Sequence, residues 1–141
     1  TEAAAAVSIP HGLLELELTE SALVRDAELA RRLLVQLRDA GFTLAIDDFG
    51  TGYSSLRYLR SFPVHALKID RSFVQGAPEE RDSCALIRAV IQFAHALDLS
   101  VVAEGVETYR QLDFLRAESC DFLQGYLMDP ALPVSAYTAM L

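Results

Sequence analysis

Apolar residues recur along the chain with two alternating periods. Leu13-Leu14-Glu15-Leu16-Glu17-Leu18 repeats every second residue, as a strand with one buried face does. From Asp26 to Ala40 the period lengthens: Leu29, Leu33, Leu34 and Leu37 share a helical face, and Gly41 ends it. Further strands are predicted over Thr43–Asp47, Ala66–Ile69, Ser100–Ala103 and Phe122–Leu127. Helices are predicted over Ser54–Phe62, stopped by Pro63, over Ser83–Leu97, and over Tyr109–Ala117 with Thr108 as its cap. A last helix starts over Ser135–Met140. The polar, Pro-containing stretch Gln75–Asp82 is expected to be the most mobile segment.

Strand and helix in alternation predict right-handed βαβ units on a parallel sheet, an α/β fold. Five strands fit either an open doubly wound sheet or part of a closed parallel barrel, which has eight. The 141 residues suit one domain, and no linker-like stretch divides them.

Composition changes the picture in two ways. The chain is 52% hydrophobic, enough to bury a core. Its net charge of -8 argues against a nucleic-acid polymer as partner, because phosphate backbones select basic surfaces. A small phosphate ligand is still compatible, since carboxylates hold divalent metals and metals hold phosphates. Cys84 and Cys120 lack metal-site spacing and read as structural. The start lacks the basic region of a signal peptide, and no apolar run approaches the length of a membrane span, so the expected location is cytoplasmic.

The candidate chemistry lies where the predicted strands end. Asp47-Asp48 closes one strand and leads through a Gly-x-Gly loop into a helix. Neighbouring strand residues point to opposite faces, so both acids serve one site only where the strand uncoils, and the glycines supply that freedom. The plain alternative is a helix cap and a glycine turn. Glu17 sits on a strand expected to be buried, where an unpaired carboxylate is costly and a divalent cation would relieve it. Alternatively, Glu15 and Glu17 form the wet face of a half-exposed strand. Lys68 is the chain's one lysine among arginines and lies between Leu67 and Ile69. It reads as pointing into a site beside Asp47 or Glu17, where it would orient a water or stabilise phosphate charge, with an ion pair to Asp70 as the plain alternative. Glu104 and Glu107 flank a further turn, and Gln124 follows on the fifth strand. No dinucleotide fingerprint or P-loop is present, and Ser54-Ser55 has no nearby histidine base.

Together these pieces resemble a known family. Glu17-Leu18-Thr19-Glu20, the run Asp47-Asp48-Phe49-Gly50-Thr51-Gly52-Tyr53-Ser54-Ser55-Leu56, Leu67-Lys68-Ile69-Asp70, Val102 to Thr108 and Gln124-Gly125-Tyr126-Leu127 match, in order and spacing, the EAL domain of bacterial cyclic di-GMP phosphodiesterases. The resemblance implies that the chain supplies the C-terminal five βα units of a modified TIM-like (β/α)8 barrel. It implies two-metal hydrolysis of one phosphodiester bond of cyclic di-GMP, with Mg²⁺ or Mn²⁺. By position, Glu17, Asp47, Asp48 and Glu104 are implied as metal ligands and Lys68 and Glu104 as catalytic. Gln124 and Glu107 are implied to position substrate or water, and Glu20 to support the loop after Asp48. A homodimer and fused sensory or cyclase domains are further expectations, the latter in a parent that is membrane-anchored in some cases. Two departures stand out: the tripeptide Glu-Ala-Leu does not occur, and the chain has no Asn, although the family uses one as a ligand. The expectation is therefore a partial domain, inactive alone. Met128-Asp129-Pro130 also departs from the family's Phe-Ser-Arg-Pro. The competing readings are a degenerate module that binds cyclic di-GMP or a protein without cleaving, and another metal-dependent βα enzyme.

Overall fold

The computed structural model describes residues 10–24, 26–50 and 59–128. Five parallel strands form one sheet in sequential order: β1 (Glu15–Thr19), β2 (Thr43–Phe49), β3 (Ala66–Ile69), β4 (Ser100–Ala103) and β5 (Phe122–Leu123). The helices are α1 (Glu20–Val24), α2 (Ala27–Asp39), α3 (Arg71–Gly76), α4 (Arg81–His95) and α5 (Tyr109–Ala117). Doubly wound sheets reverse their strand order at a switch point. This sheet does not, and right-handed crossovers in one direction put every helix on the same side. The order is that of a stretch of barrel wall.

Register sorts the side chains onto two faces. Leu18, Ile46 and Leu67 are neighbours across the strands, as are Leu67 and Val101. Leu44, Ile46, Leu67, Ile69, Val101 and Ala103 face the helices and pack with Leu34, Ile87, Val90, Ile91, Ala94 and Leu115 in one core. Alternation puts Glu17, Ala45, Ala66 and Lys68 on the opposite face.

The helix ends follow capping chemistry. Asp26 accepts the Leu29 N–H at 3.0 Å and starts α2. Thr108 accepts the Gln111 N–H at 3.3 Å and starts α5.

Four expectations need correction. The first strand begins at Glu15, because His11–Leu13 coil into a 3-10 turn. The fifth ends at Leu123: beyond it the chain closes around Val106, whose N–H donates to Gln124 O and whose carbonyl accepts from Leu127 N. Helices α1 and α3 have no counterpart in the sequence expectations, their five and six residues being too short to show a helical period, although Asp70 caps α3 by accepting the Ser72 N–H at 3.1 Å. The stretch Gln75–Asp82 is pinned instead of loose. Ala77 is buried, the Glu80 N–H donates to Gly76 O at 2.7 Å, and the Cys84 thiol reaches Pro78 O at 3.4 Å. The expected helix Ser54–Phe62 lies mostly, and Ser135–Met140 wholly, outside the described residues.

Both cysteines are free. Burial pushes the Cys120 thiol up to about 11, leaving it protonated and unreactive at neutral pH. Among the described residues no helix is long and apolar enough to cross a membrane.

Candidate functional site

Lys68 is the centre of the site. Its side chain is 4% exposed, inside the sheet, with Leu67 and Ile69 committed to the opposite face. A buried ammonium needs opposite charge close by. Three carboxylates from three other strands or strand ends supply it. Glu17 on β1 receives a hydrogen bond from the ammonium. Glu104, just past β4, lies 2.5 Å from it, and Asp47 on β2 lies 3.8 Å from it. Burial pushes the Lys68 ammonium down, but the hydrogen bonds to Glu104 and Glu17 outweigh it and hold the group above an ordinary lysine. Asp70 is not its partner; that carboxylate is occupied at the cap of α3.

The paired acids on β2 are placed by a bulge. Ile46 pairs with Leu67 and Phe49 with Ile69, so Asp47 and Asp48 together stand opposite the single Lys68. Asp48 takes φ +54°, and its N–H donates to the Asp47 carboxylate at 2.9 Å. Gly50 takes φ +98° as expected of a glycine at this turn, and the bulged Asp48 itself also takes the left-handed conformation, which Asp tolerates better than most residues. Burial, then the charges of Asp47 and Asp70, raise the Asp48 carboxyl above its usual range, while Lys68 opposes them.

Glu17 reaches the site for a reason other than the expected one. β1 is the sheet edge, its residues alternate exposed and half-buried, and the Glu17 side chain is 43% exposed. Among the described residues β1 matches the half-exposed alternative, and the Lys68 ammonium orients the carboxylate. Glu20, at the start of α1, is buried and accepts the Gly50 N–H at 3.1 Å, tying the end of β1 to the turn after Asp48.

Beside Glu104 lies a cleft of about 190 Å³ lined by Arg71, Glu104, Gly105, Glu107, Gln124, Gly125 and Tyr126. Gly125 is required there, since a Cβ would fall 2.3 Å from both the N and the O of Val106. Glu17, Asp47, Lys68, Glu104 and Gln124 thus share the C-terminal rim of the sheet, with Asp48 and Glu107 at its edge.

A comparison with protein families gives a direct answer: the EAL domain profile matches residues 2–131. The chain belongs to the EAL domain family. Cyclic di-GMP phosphodiesterase NbdA of Pseudomonas aeruginosa is 50% identical over 128 residues, which cover 91% of this chain and 16% of NbdA. Among solved structures, the PaMucR phosphodiesterase in complex with c-di-GMP superposes with a TM-score of 0.93 at 41% identity, covering 96% of this chain and 55% of that one. Klebsiella pneumoniae BlrP1, in a manganese/cy-diGMP complex, superposes with a TM-score of 0.82 at 32% identity, covering 89% of this chain and 32% of that one. The chain therefore spans a small part of its curated relative and about half of the solved PaMucR chain.

Against this EAL frame, the donor set is chemically suited to a divalent cation. Glu17, Asp47, Asp48 and Glu104 offer hard oxygens, which Mg²⁺ and Mn²⁺ prefer. Three of them already gather around one positive charge, and the fourth is held above its usual range by burial and then by the like charges of Asp47 and Asp70. Among the described residues, however, no three form a group spaced to hold an ion by themselves. One buried residue behind the Glu104–Glu107 turn has no counterpart among the sequence expectations. Gln111 is buried, with its side chain hydrogen-bonded to three backbone groups. The signal was available: Thr108-x-x-Gln111 is a capping-box spacing.

Proposed function

We propose that the domain to which this chain contributes hydrolyses one phosphodiester bond of cyclic di-GMP, giving the linear dinucleotide. The observation that carries the proposal is the convergence of Glu17, Asp47 and Glu104 on the buried Lys68 at the strand C-termini, in a family whose relatives carry that activity in their names. Glu17, Asp47, Asp48 and Glu104 would hold two divalent ions, Mg²⁺ or Mn²⁺; the manganese in the BlrP1 complex supports this assignment. Bound there, the ions would make water more acidic and neutralise charge building on the phosphate.

The chain's own residues have distinct tasks in this reading. Lys68 keeps its proton, because its carboxylate neighbours favour the charged form. It therefore acts as a fixed positive charge and hydrogen-bond donor that orients the attacking water between Glu17 and Glu104. Glu104, bonded to Lys68 on one side and bordering the cleft on the other, also ligates or holds that water. Glu107 and Gln124 line the cleft where substrate would lie, Gln124 offering both a donor and an acceptor. Glu20 holds the turn after Asp48 through the Gly50 N–H.

The missing ligands have a place in the same proposal. In this reading strands outside these 141 residues contribute the Glu of Glu-Ala-Leu and an Asn, in keeping with a chain that covers 55% of the PaMucR phosphodiesterase chain. The 16% share of NbdA is compatible with additional sensory or cyclase domains in the parent protein.

The test is hydrolysis of cyclic di-GMP by the parent protein with Mn²⁺, followed by excess chelator. Turnover should stop in chelator and return when Mn²⁺ is restored. Undiminished turnover in chelator would remove the metal role, and no turnover with Mn²⁺ would remove the assigned reaction.

A further inference from the structure

Gln111 makes more contacts than helix capping requires. Its Oε1 accepts the Thr108 N–H at 2.9 Å, which completes the capping box of α5. The same oxygen accepts the Glu107 N–H at 2.8 Å. Its Nε2 then leaves the helix and donates to Val74 O at 3.1 Å, in α3. The amide has one possible orientation, since two N–H groups require the oxygen and a carbonyl requires the nitrogen. At 6% exposure it is one of four buried polar or charged residues among those described, with Glu20, Lys68 and Ser83.

The two ends of this link matter to the site. The turn Glu104–Glu107 carries two of the rim acids, and α3 follows directly on Lys68 and Asp70. The backbones on the two sides are already close: Glu104 N–H donates to Ile69 O at 3.2 Å, and a Cβ on Gly105 would fall 2.5 Å from the Arg71 Cβ. Among the described residues the turn has no ladder partner beyond that point on the β3 side. There the Gln111 amide is its lateral fastening.

We propose that Gln111 is a positioning residue: its buried amide fastens the Glu104–Glu107 turn to α3 and so fixes Glu104 against Lys68. The inference rests on the proposed reaction for its kinetic part and on geometry alone for its structural part. Capping and fastening use different atoms of the side chain. Capping needs an acceptor, and fastening needs the donor.

Gln111→Glu separates them. A carboxylate keeps the acceptor for Glu107 and Thr108, as capping-box glutamates do, but opposes the Val74 carbonyl with negative charge. In the parent protein, Q111E should exchange amide hydrogens across residues 103–107 roughly tenfold faster than wild type. It should also lower kcat for cyclic di-GMP by about tenfold to a hundredfold, as misplacement of a reacting group by about 1 Å does. Thr108→Ala weakens the cap without touching the fastening, and should leave both readouts near wild type while lowering Tm. Exchange across 103–107 unchanged in Q111E overturns the proposal, whatever happens to the rate. Should wild type cleave no cyclic di-GMP, the reaction assignment fails, and the exchange measurement still decides the role of Gln111.

Discussion

Replacing Lys68 by Met removes the charge that three carboxylates share while keeping a side chain of similar length. Glu104, 21% exposed and 2.5 Å from the ammonium, accounts for most of the loss. A net contribution of about 1.5–3 kcal/mol is typical of a hydrogen bond to a charged group. Glu17 is 43% exposed, so water screens it, and its share is below about 1 kcal/mol. Asp47 at 3.8 Å interacts by about 4 kcal/mol gross at an effective dielectric of 20, but the desolvation of the ammonium offsets most of that. The net expectation is a loss of about 2–4 kcal/mol in the presence of chelator. The ammonium stays charged up to a folded-state pKa raised above 10.5. Its stabilisation is therefore fully present below 10.5 and is lost only as pH rises through that higher value, so the difference should be flat between about pH 6 and 9. In millimolar Mn²⁺ the ion would neutralise the same carboxylates, and the loss should shrink by at least about half. The assay is equilibrium urea unfolding of wild type and Lys68→Met, with chelator and with Mn²⁺, alongside cyclic di-GMP turnover. Turnover should collapse while bound Mn²⁺ stays close to wild type. An identical loss in both buffers would show that these carboxylates do not gather a metal, and a loss under about 0.5 kcal/mol in chelator would show that the ion cluster is not structural.

Further outcomes follow from the same geometry. Asp48→Asn removes a carboxylate whose pKa is raised above 3.8, a cost present above that raised value and absent below 3.8. In chelator at neutral pH the variant should be more stable than wild type by up to about 1 kcal/mol, the gain fading on acidification, and its Mn²⁺ affinity should fall in isothermal titration. Asp121 accepts from Val101 N and His95 at 2.8 Å each; despite partial burial, these bonds hold its carboxyl below 3.8. Asp121→Ala should cost about 1–3 kcal/mol at neutral pH in urea unfolding, and the difference should narrow as pH falls through the lowered pKa. Gly125→Ala drives a Cβ into the Val106 backbone, so it should cost at least about 2 kcal/mol and displace Gln124, seen as lost turnover. The 141-residue chain alone, with an open edge at β1 and exposed Leu29 and Leu33 on α2, should self-associate and show no turnover; an active monomer in light scattering would contradict this.

Local chemistry made much of this protein legible from its sequence. The Ala66–Ile69 and Ser100–Ala103 strands and the Thr108-capped helix fall where apolar periods and cap residues put them, because short-range sterics and backbone hydrogen bonding decide those features. The family was legible too, because Asp47 to Leu56 and the other motifs are contiguous. Tertiary structure decided what no window of the chain contains. The choice between a doubly wound sheet and a barrel wall rests on strand order, a relation among all five strands. Asp47 and Asp48 stand together opposite Lys68 because β2 bulges against β3, which depends on the register of residues some twenty positions apart. Glu17 is steered by an ammonium 51 residues away, a partner that no local stretch of sequence contains. Gln111 looks like an ordinary capping residue until α3, a helix too short to announce itself, brings the Val74 carbonyl to the other side of its amide. A side chain's type and local period are written in sequence; its charge partners, and the backbone groups it must satisfy once water is excluded, exist only after the strands are side by side.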